Sequence, residues 1–170
     1  MAFVVWMTGL PCSGKTTIVR ELQKTIPNLA MLDGDELREW LSPKDFTKEG
    51  RNEHNVKVAH LARLLRSHGV PVAVSLVSPY IENRTRAREI VGAGEAFAEV
   101  YVKCALERCE ERDVKGMYKK ARAGEIAAFT GISDPYEEPP SPDLTVDTQS
   151  EGVAESARKI SEFLSSRGLA

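Results

Sequence analysis

The chain has 170 residues, enough for a single domain with a sizeable core. Apolar residues make up 42% and charged residues 28%, as in ordinary soluble globular proteins, which excludes a low-complexity or fibrous chain. The formal charge of −2 gives no electrostatic case for nucleic acid or an anionic membrane as partner, and no apolar run approaches the ~20 residues of a membrane span.

The first element is Phe3 to Thr8, an apolar run of strand length. It leads directly into Gly9-Leu10-Pro11-Cys12-Ser13-Gly14-Lys15-Thr16, so no signal peptide is read and a cytoplasmic location is expected. This octad fits G-x-x-x-x-G-K-[ST], the phosphate-binding P-loop. Thr17 follows, and Ile18, Leu22 and Ile26 then recur every four residues, which predicts a helix stopped by Pro27. A loop between a strand and a helix N-terminus is where a P-loop must lie. The first backbone N–H groups of a helix have no internal partner and carry partial positive charge, so they can cradle a polyphosphate. Lys15 is placed to reach the β- and γ-phosphates, and the Thr16 hydroxyl to ligate Mg²⁺. ATP binding is thus expected from Gly9 through Thr17.

Leu29 to Leu32 reads as a short buried strand ending in Asp33-Gly34-Asp35. A short helix from Glu36 to Leu41 is expected, closed by Ser42-Pro43, followed by a polar loop from Lys44 to Gly50 with one aromatic, Phe46. A long helix is predicted from about Asn52 to Ser67, with Val58, Leu61, Ala62 and Leu65 on its core face. Val70 to Val77 is nearly continuous in apolar residues, as in a parallel strand buried on both faces. Ser78-Pro79-Tyr80 breaks it, and a helix follows from Ile81 to Val91. Phe97 to Val102 is the next strand, with a helix from about Ala105 running into a basic stretch. Asp134 to Pro142 holds four prolines and is read as a loop. Leu144 to Val146 is the last strand, and Val153, Ala157, Ile160 and Leu164 mark a final amphipathic helix.

Strands alternating with helices predict an α/β fold of the P-loop NTPase type: three layers, a five-stranded parallel sheet with helices on both faces, and a basic lid over about 108–133. Ligands in such sheets bind past the carboxyl ends of the strands, which brings Gly9, Asp33, Ser78 and Asp147 to one crevice. Asp33 and Asp35 would lie beside the phosphates. Phosphoryl transfer to an alcohol needs a held cation and a carboxylate that orients or deprotonates the hydroxyl, so both are candidate catalytic residues with Lys15, and Asp33 a candidate metal ligand with Thr16. For Asp35, capping of the next helix is an equal reading. Arg38 and Arg51 suit an anion by their fork of donors, although most arginines are simply solvated. Six of the fifteen residues from Arg108 to Arg122 are basic, and closure of such a segment excludes water from the transferring group. Cys12, Cys104 and Cys109 share no metal spacing and read as reduced thiols. Cys12 lies inside the P-loop near a helix N-terminus, where thiol pKa values fall, so its oxidation is expected to block nucleotide binding. His54, His60 and His68 show no ligand spacing either, and no zinc site is read.

Several motifs together give the chain a family resemblance. Met7-Thr8-Gly9-Leu10 opens the P-loop; Leu32-Asp33-Gly34-Asp35 is followed by Arg38; Val77-Ser78-Pro79-Tyr80 is followed by Arg84 and Arg88. The run from Cys109 to Arg122, C-E-E-R-D-V-K-G-M-Y-K-K-A-R, then Phe129-Thr130-Gly131-Ile132 and Pro135-Tyr136-Glu137, completes the set. From Trp6 to Thr148 the chain resembles adenylylsulfate kinases (APS kinases), which use MgATP to phosphorylate the 3′-hydroxyl of adenosine 5′-phosphosulfate in sulfate activation. The resemblance implies that Arg38 and Arg51 grip the phosphosulfate and that Phe46 and Phe129 sandwich the substrate adenine. It implies that Val77 and Ser78 contact the adenosine part and that Lys119 lies near the transferred phosphate. Arg108 and Arg112 would meet ATP, with Thr148 near its purine, and Asp33 would sit beside the 3′-hydroxyl and the metal. It also implies a homodimer, with an ATP sulfurylase as functional partner. His54 departs from the family, standing where an asparagine touches the substrate, and at low pH it is expected to add charge there. Three alternatives remain at this level: another small-molecule kinase of the same architecture, acting on a sugar acid, shikimate or a nucleoside monophosphate; a non-catalytic module that senses adenylyl nucleotides; and one half of a bifunctional sulfate-activating enzyme that works with a separate sulfurylase.

Overall fold

A computed structural model describes residues 2–41, 45–92, 94 and 96–169. Five strands, β1 (Val4–Thr8), β2 (Ala30–Asp33), β3 (Val72–Ser75), β4 (Phe97–Lys103) and β5 (Leu144–Asp147), form one sheet in the order β2-β3-β1-β4-β5. Every pairing is parallel. The helices are α1 (Lys15–Leu22), α2 (Gly34–Arg38), α3 (Lys48–Ser67), α4 (Ile81–Val91), α5 (Leu106–Arg112), α6 (Met117–Arg122) and α7 (Val153–Ser166). The expected α/β architecture is therefore present.

Side chains alternate across a strand, and here both faces are apolar. Phe3, Val5 and Met7 from the β1 region join Ala98, Val100, Val102 and Val146 under α1 and α7, where Ile18, Val19, Leu22, Ile160 and Leu164 complete one core. Val4 and Trp6 point the other way and meet Val72, Val74 and Phe97 under α3 and α4, with Val58, Ala59, Ala62, Ala87 and Ile90. A third cluster, built around Cys109, Tyr118, Ala121 and Phe129, lies under α5 and α6.

The helix after the P-loop ends at Leu22 rather than Ile26. The residue before a proline is disfavoured in α-helical geometry, so Pro27 disturbs the chain ahead of itself. The third strand spans Val72–Ser75, half the expected length. Pro71 has no N–H to pair at its start. At its end Ser78 takes a left-handed backbone (φ 44°), turning the chain out of the sheet. The long helix starts four residues early, at Lys48, because the Thr47 side chain accepts a hydrogen bond from Gly50 N (3.1 Å) and caps it. The short helix begins at Gly34, with Asp33 and not Asp35 as its cap. It ends at Arg38, short of the expected Leu41, with Glu39 as its C-cap; Ser42, Pro43 and Lys44, where its closure and the loop start are expected, fall outside the described residues.

Ile160 is fully buried between α7, α1 and the sheet. Ile160→Ala is expected to lower stability by about 2–5 kcal/mol, the range for opening a cavity in a packed core, as read by urea unfolding.

Candidate active site

The carboxyl ends of the strands carry the polar groups. Gly9 follows β1 where the chain passes so close to β4 that a Cβ there would lie 2.5 Å from the Val102 carbonyl oxygen. Gly14 caps α1 with φ 103°, a conformation that side chains disfavour. Between them the loop curls around the Lys15 ammonium, which donates to the carbonyls of Gly9 (2.9 Å) and Leu10 (2.8 Å). Lys15 is buried, and that desolvation lowers its pKa to about 8 against the upward pull of Asp33 and Asp35.

Thr16 stands in the first turn of α1. Its hydroxyl donates to Asp33 Oδ2 at 2.7 Å and lies 3.0 Å from the Ser75 hydroxyl. The other Asp33 oxygen accepts from the backbone N–H groups of Asp35 (3.0 Å) and Glu36 (3.5 Å). One carboxylate thus caps α2 and holds the P-loop hydroxyl. Asp35 is exposed and pairs with Lys115, just ahead of α6, at 2.6 Å. Thr17 is exposed on α1.

Three groups from distant parts of the chain bind the outer rim of the P-loop. Arg112 donates to the Cys12 carbonyl (3.2 Å) and to the Thr148 carbonyl (2.6 Å). The Thr148 hydroxyl donates to the Ser13 carbonyl (2.7 Å). Tyr118 donates to the Pro11 carbonyl (2.9 Å). Arg112 and Thr148 are therefore gathered at the loop. Arg108 is not: it is exposed on α5 and pairs with Glu111 on the same helix. Lys119 lies exposed on α6, its backbone N–H held by the Asp113 carboxylate. Cys12 adopts φ 61° and is half-buried, while Cys104 and Cys109 are buried free thiols, Cys109 pushed up to about 12 by burial.

On the β2–β3 side, Phe46 carries two guanidiniums over its ring, Arg38 at 4.8 Å and Arg51 at 5.7 Å. Arg51 is buried, donating to the carbonyls of Phe46 (2.9 Å) and Ala128 (2.6 Å), with Asp134 3.7 Å away. It therefore joins the segments that carry Phe46 and Phe129. Phe129 itself is buried and meets Tyr118 edge-on at 4.9 Å. Burial holds both arginines below the ordinary guanidinium value, and for Arg38 the nearby charge of Arg51 adds to it.

Ser78 sits deeper than a substrate-contacting side chain would. It is buried, accepting from the Trp6 indole (3.0 Å) and donating to Asn55 (2.8 Å). Its carbonyl takes Arg84 (2.7 Å), and the Val77 carbonyl takes the Thr8 hydroxyl (2.7 Å). His54 is buried beside Gly34, Arg38 and Lys57, and burial followed by those cations lowers its pKa to about 4. The charge expected there at low pH does not form in the physiological range.

Ser75, Tyr118 and Lys115 escaped assignment from the sequence. Ser75 reads there as the interior of a longer strand. Tyr118 and Lys115 read as part of a charge run whose partners lie more than seventy residues away.

A P-loop with its lysine and threonine, a carboxylate at the end of β2 and a cationic wall define a small-molecule kinase. The profile of the family described as "Adenylylsulphate kinase" matches residues 1–147. The adenylyl-sulfate kinase of Halothermothrix orenii is 48% identical over 169 residues, 96% of this chain and 90% of that one. The adenylyl-sulfate kinase of Myxococcus xanthus is 45% identical over 98% of this chain and 93% of its own. The solved structure of the Mycobacterium tuberculosis APS kinase in complex with AMPPNP and APS superposes with a TM-score of 0.90 at 38% identity, over 96% of this chain and 98% of that one. The chain belongs to the adenylylsulphate kinase family.

Two pH dependences follow. A polyphosphate beside Lys15 favours its charged form, so ATP affinity is expected to decline as pH rises through about 8, measured by calorimetry from pH 7.5 to 9.5. A Lys15→Arg variant, whose side chain does not titrate there, should bind with a flat profile. For His54 the folded pKa lies below the unfolded one. The stability linked to it is therefore whole above pH 6.5 and is lost as pH falls toward about 4. Urea midpoints for His54→Asn should fall less steeply than wild type across that window.

Proposed function

We propose that the protein transfers the γ-phosphoryl group of ATP to the 3′-hydroxyl of adenosine 5′-phosphosulfate, giving 3′-phosphoadenosine 5′-phosphosulfate and ADP. The observation that carries this reading is the 2.7 Å contact between Thr16 of the P-loop and Asp33 of β2, which joins the donor side of the crevice to the acceptor side.

The P-loop from Gly9 to Thr17, through the N–H groups that open α1, and the Lys15 ammonium hold the β- and γ-phosphates. Arg112 and Thr148 border the purine of ATP, and Arg108 reaches it from α5 only by leaving its partner Glu111. Arg38 and Arg51 receive the phosphosulfate. Phe46 and Phe129 flank the substrate adenine, whose flat face suits aromatic rings. Val77 and Ser78 act through their backbone at the turn after β3, since the Ser78 hydroxyl is engaged with Trp6 and Asn55. Asp33 orients the 3′-hydroxyl and takes its proton. Asp35 holds Lys115 and so the segment 108–133, which serves as a lid that brings Lys119 to the transferring group and excludes water. His54 presents a neutral surface beneath Arg38.

Thr16 and Asp33 offer hard oxygen donors of the kind Mg²⁺ takes, one or two from protein with the rest from phosphates and water. Bound there with ATP, Mg²⁺ supplies charge neutralisation at the β- and γ-phosphates. The family resemblance supports a homodimer working in the cytoplasm beside an ATP sulfurylase.

Asp33→Asn keeps a capping side chain for α2 and removes the base. Turnover should fall by about 10²–10⁴-fold with ATP affinity little changed, read by chromatography of the nucleotide products from MgATP and adenosine 5′-phosphosulfate. Near-normal turnover in that variant would remove Asp33 from the role.

A further inference from the structure

The geometry points to Ser75 as a positioning residue that aims the Thr16 hydroxyl at the cation carried with ATP. The inference rests on the reading of Thr16 and Asp33 as the cation site and adds a residue to it. Ser75 is the last residue of β3 and is buried. Its strand is paired on both sides, with Met7 of β1 and Asp33 of β2 as its register partners, so its backbone cannot drift. Gly34, the first residue of α2 after Asp33, packs so tightly that a Cβ there would lie 2.4 Å from Leu76 Cδ2 and 3.5 Å from the Ser75 carbonyl oxygen, which closes the space beside it.

The proton count gives the bond its direction. The Thr16 hydroxyl has one proton, and it goes to Asp33 Oδ2, because a carboxylate only accepts. The 3.0 Å contact with Ser75 is therefore one in which Ser75 donates and Thr16 accepts. A hydroxyl oxygen has two lone pairs. One is taken by Ser75, the proton is committed to Asp33, and the remaining lone pair has a single direction left. Ser75 thereby converts a free rotor into an oriented ligand. Groups of this kind, which bond a ligand rather than the metal, typically change metal affinity by about 10–100-fold when removed.

The test is calorimetry of ADP binding with and without Mg²⁺. Wild type should bind ADP more tightly when Mg²⁺ is present. Ser75→Ala should lose about 10-fold of that Mg²⁺-linked gain while binding ADP alone as wild type does. Ser75→Thr, which keeps the hydroxyl, should recover the gain. Ser75→Cys, close in size but a weak donor, should behave as Ser75→Ala and carries the test if the alanine variant does not fold. Retention of the full Mg²⁺ gain in Ser75→Ala or Ser75→Cys overturns the role of Ser75. Equal weakening of ADP with and without Mg²⁺ overturns it too, because that is what a general loosening of the β3 end would do. Absence of any Mg²⁺ gain in wild type overturns the cation site itself, and Ser75 with it.

Discussion

The site depends on there being no side chain at Gly9. The chain leaves β1 between two parallel neighbours and presses against the Val102 carbonyl. Only there can it turn back tightly enough to deliver Lys15 to the start of α1. The loop then closes on its own lysine, whose ammonium spans the Gly9 and Leu10 carbonyls. Next, Tyr118 holds the Pro11 carbonyl, Arg112 that of Cys12 and Thr148 that of Ser13. The Gly9 and Ser13 N–H groups are taken by the Val77 and Leu10 carbonyls, and those of the first turn of α1 are left for an anion. Hydrogen bonds from charged donors are worth about 1.5–3 kcal/mol each, so the Lys15 and Arg112 contacts are the firmest of these ties.

Much of this was legible in the residues. A parallel sheet covered on both faces leaves no polar face to interrupt its strands, so Val4 to Met7 reads as a plain apolar run and Phe97 to Val102 as one broken only by Glu99. The same feature misled at β3, where Val70 to Val77 is nearly continuous in apolar residues but the sheet uses only its middle. What ends that strand is the Trp6–Ser78–Asn55 chain of hydrogen bonds, which spans three elements and leaves no local trace. The start of α3 was lost for another reason. Lys48 to Arg51 carries no apolar period, and only the Thr47 cap marks it. In the site, the P-loop and Asp33 were legible because their spacing is local. Ser75 was not, because a serine at the end of a valine-rich strand gains meaning only when β2 and α1 are brought alongside.

The acceptor side gathers cations at close quarters. Arg38 and Arg51 share the face of Phe46, and burial weakens the proton affinity of both. A third charge beside Arg38 and Lys57 would meet both desolvation and repulsion. His54 avoids this by remaining neutral, for those two reasons in that order. A histidine at this position is thus electrostatically equivalent to a neutral amide through the physiological range.

Tyr118 touches the Pro11 carbonyl with its hydroxyl and the Phe129 ring with its edge. One rigid side chain therefore links the P-loop to the ring proposed to flank the substrate adenine. Thermodynamic linkage makes the connection symmetrical: to the extent that seating one nucleotide improves or worsens the fit of this ring, the second nucleotide alters the affinity for the first by the same factor. Under the proposed reading, this phenol is the contact through which the two substrates inform each other of their presence without touching.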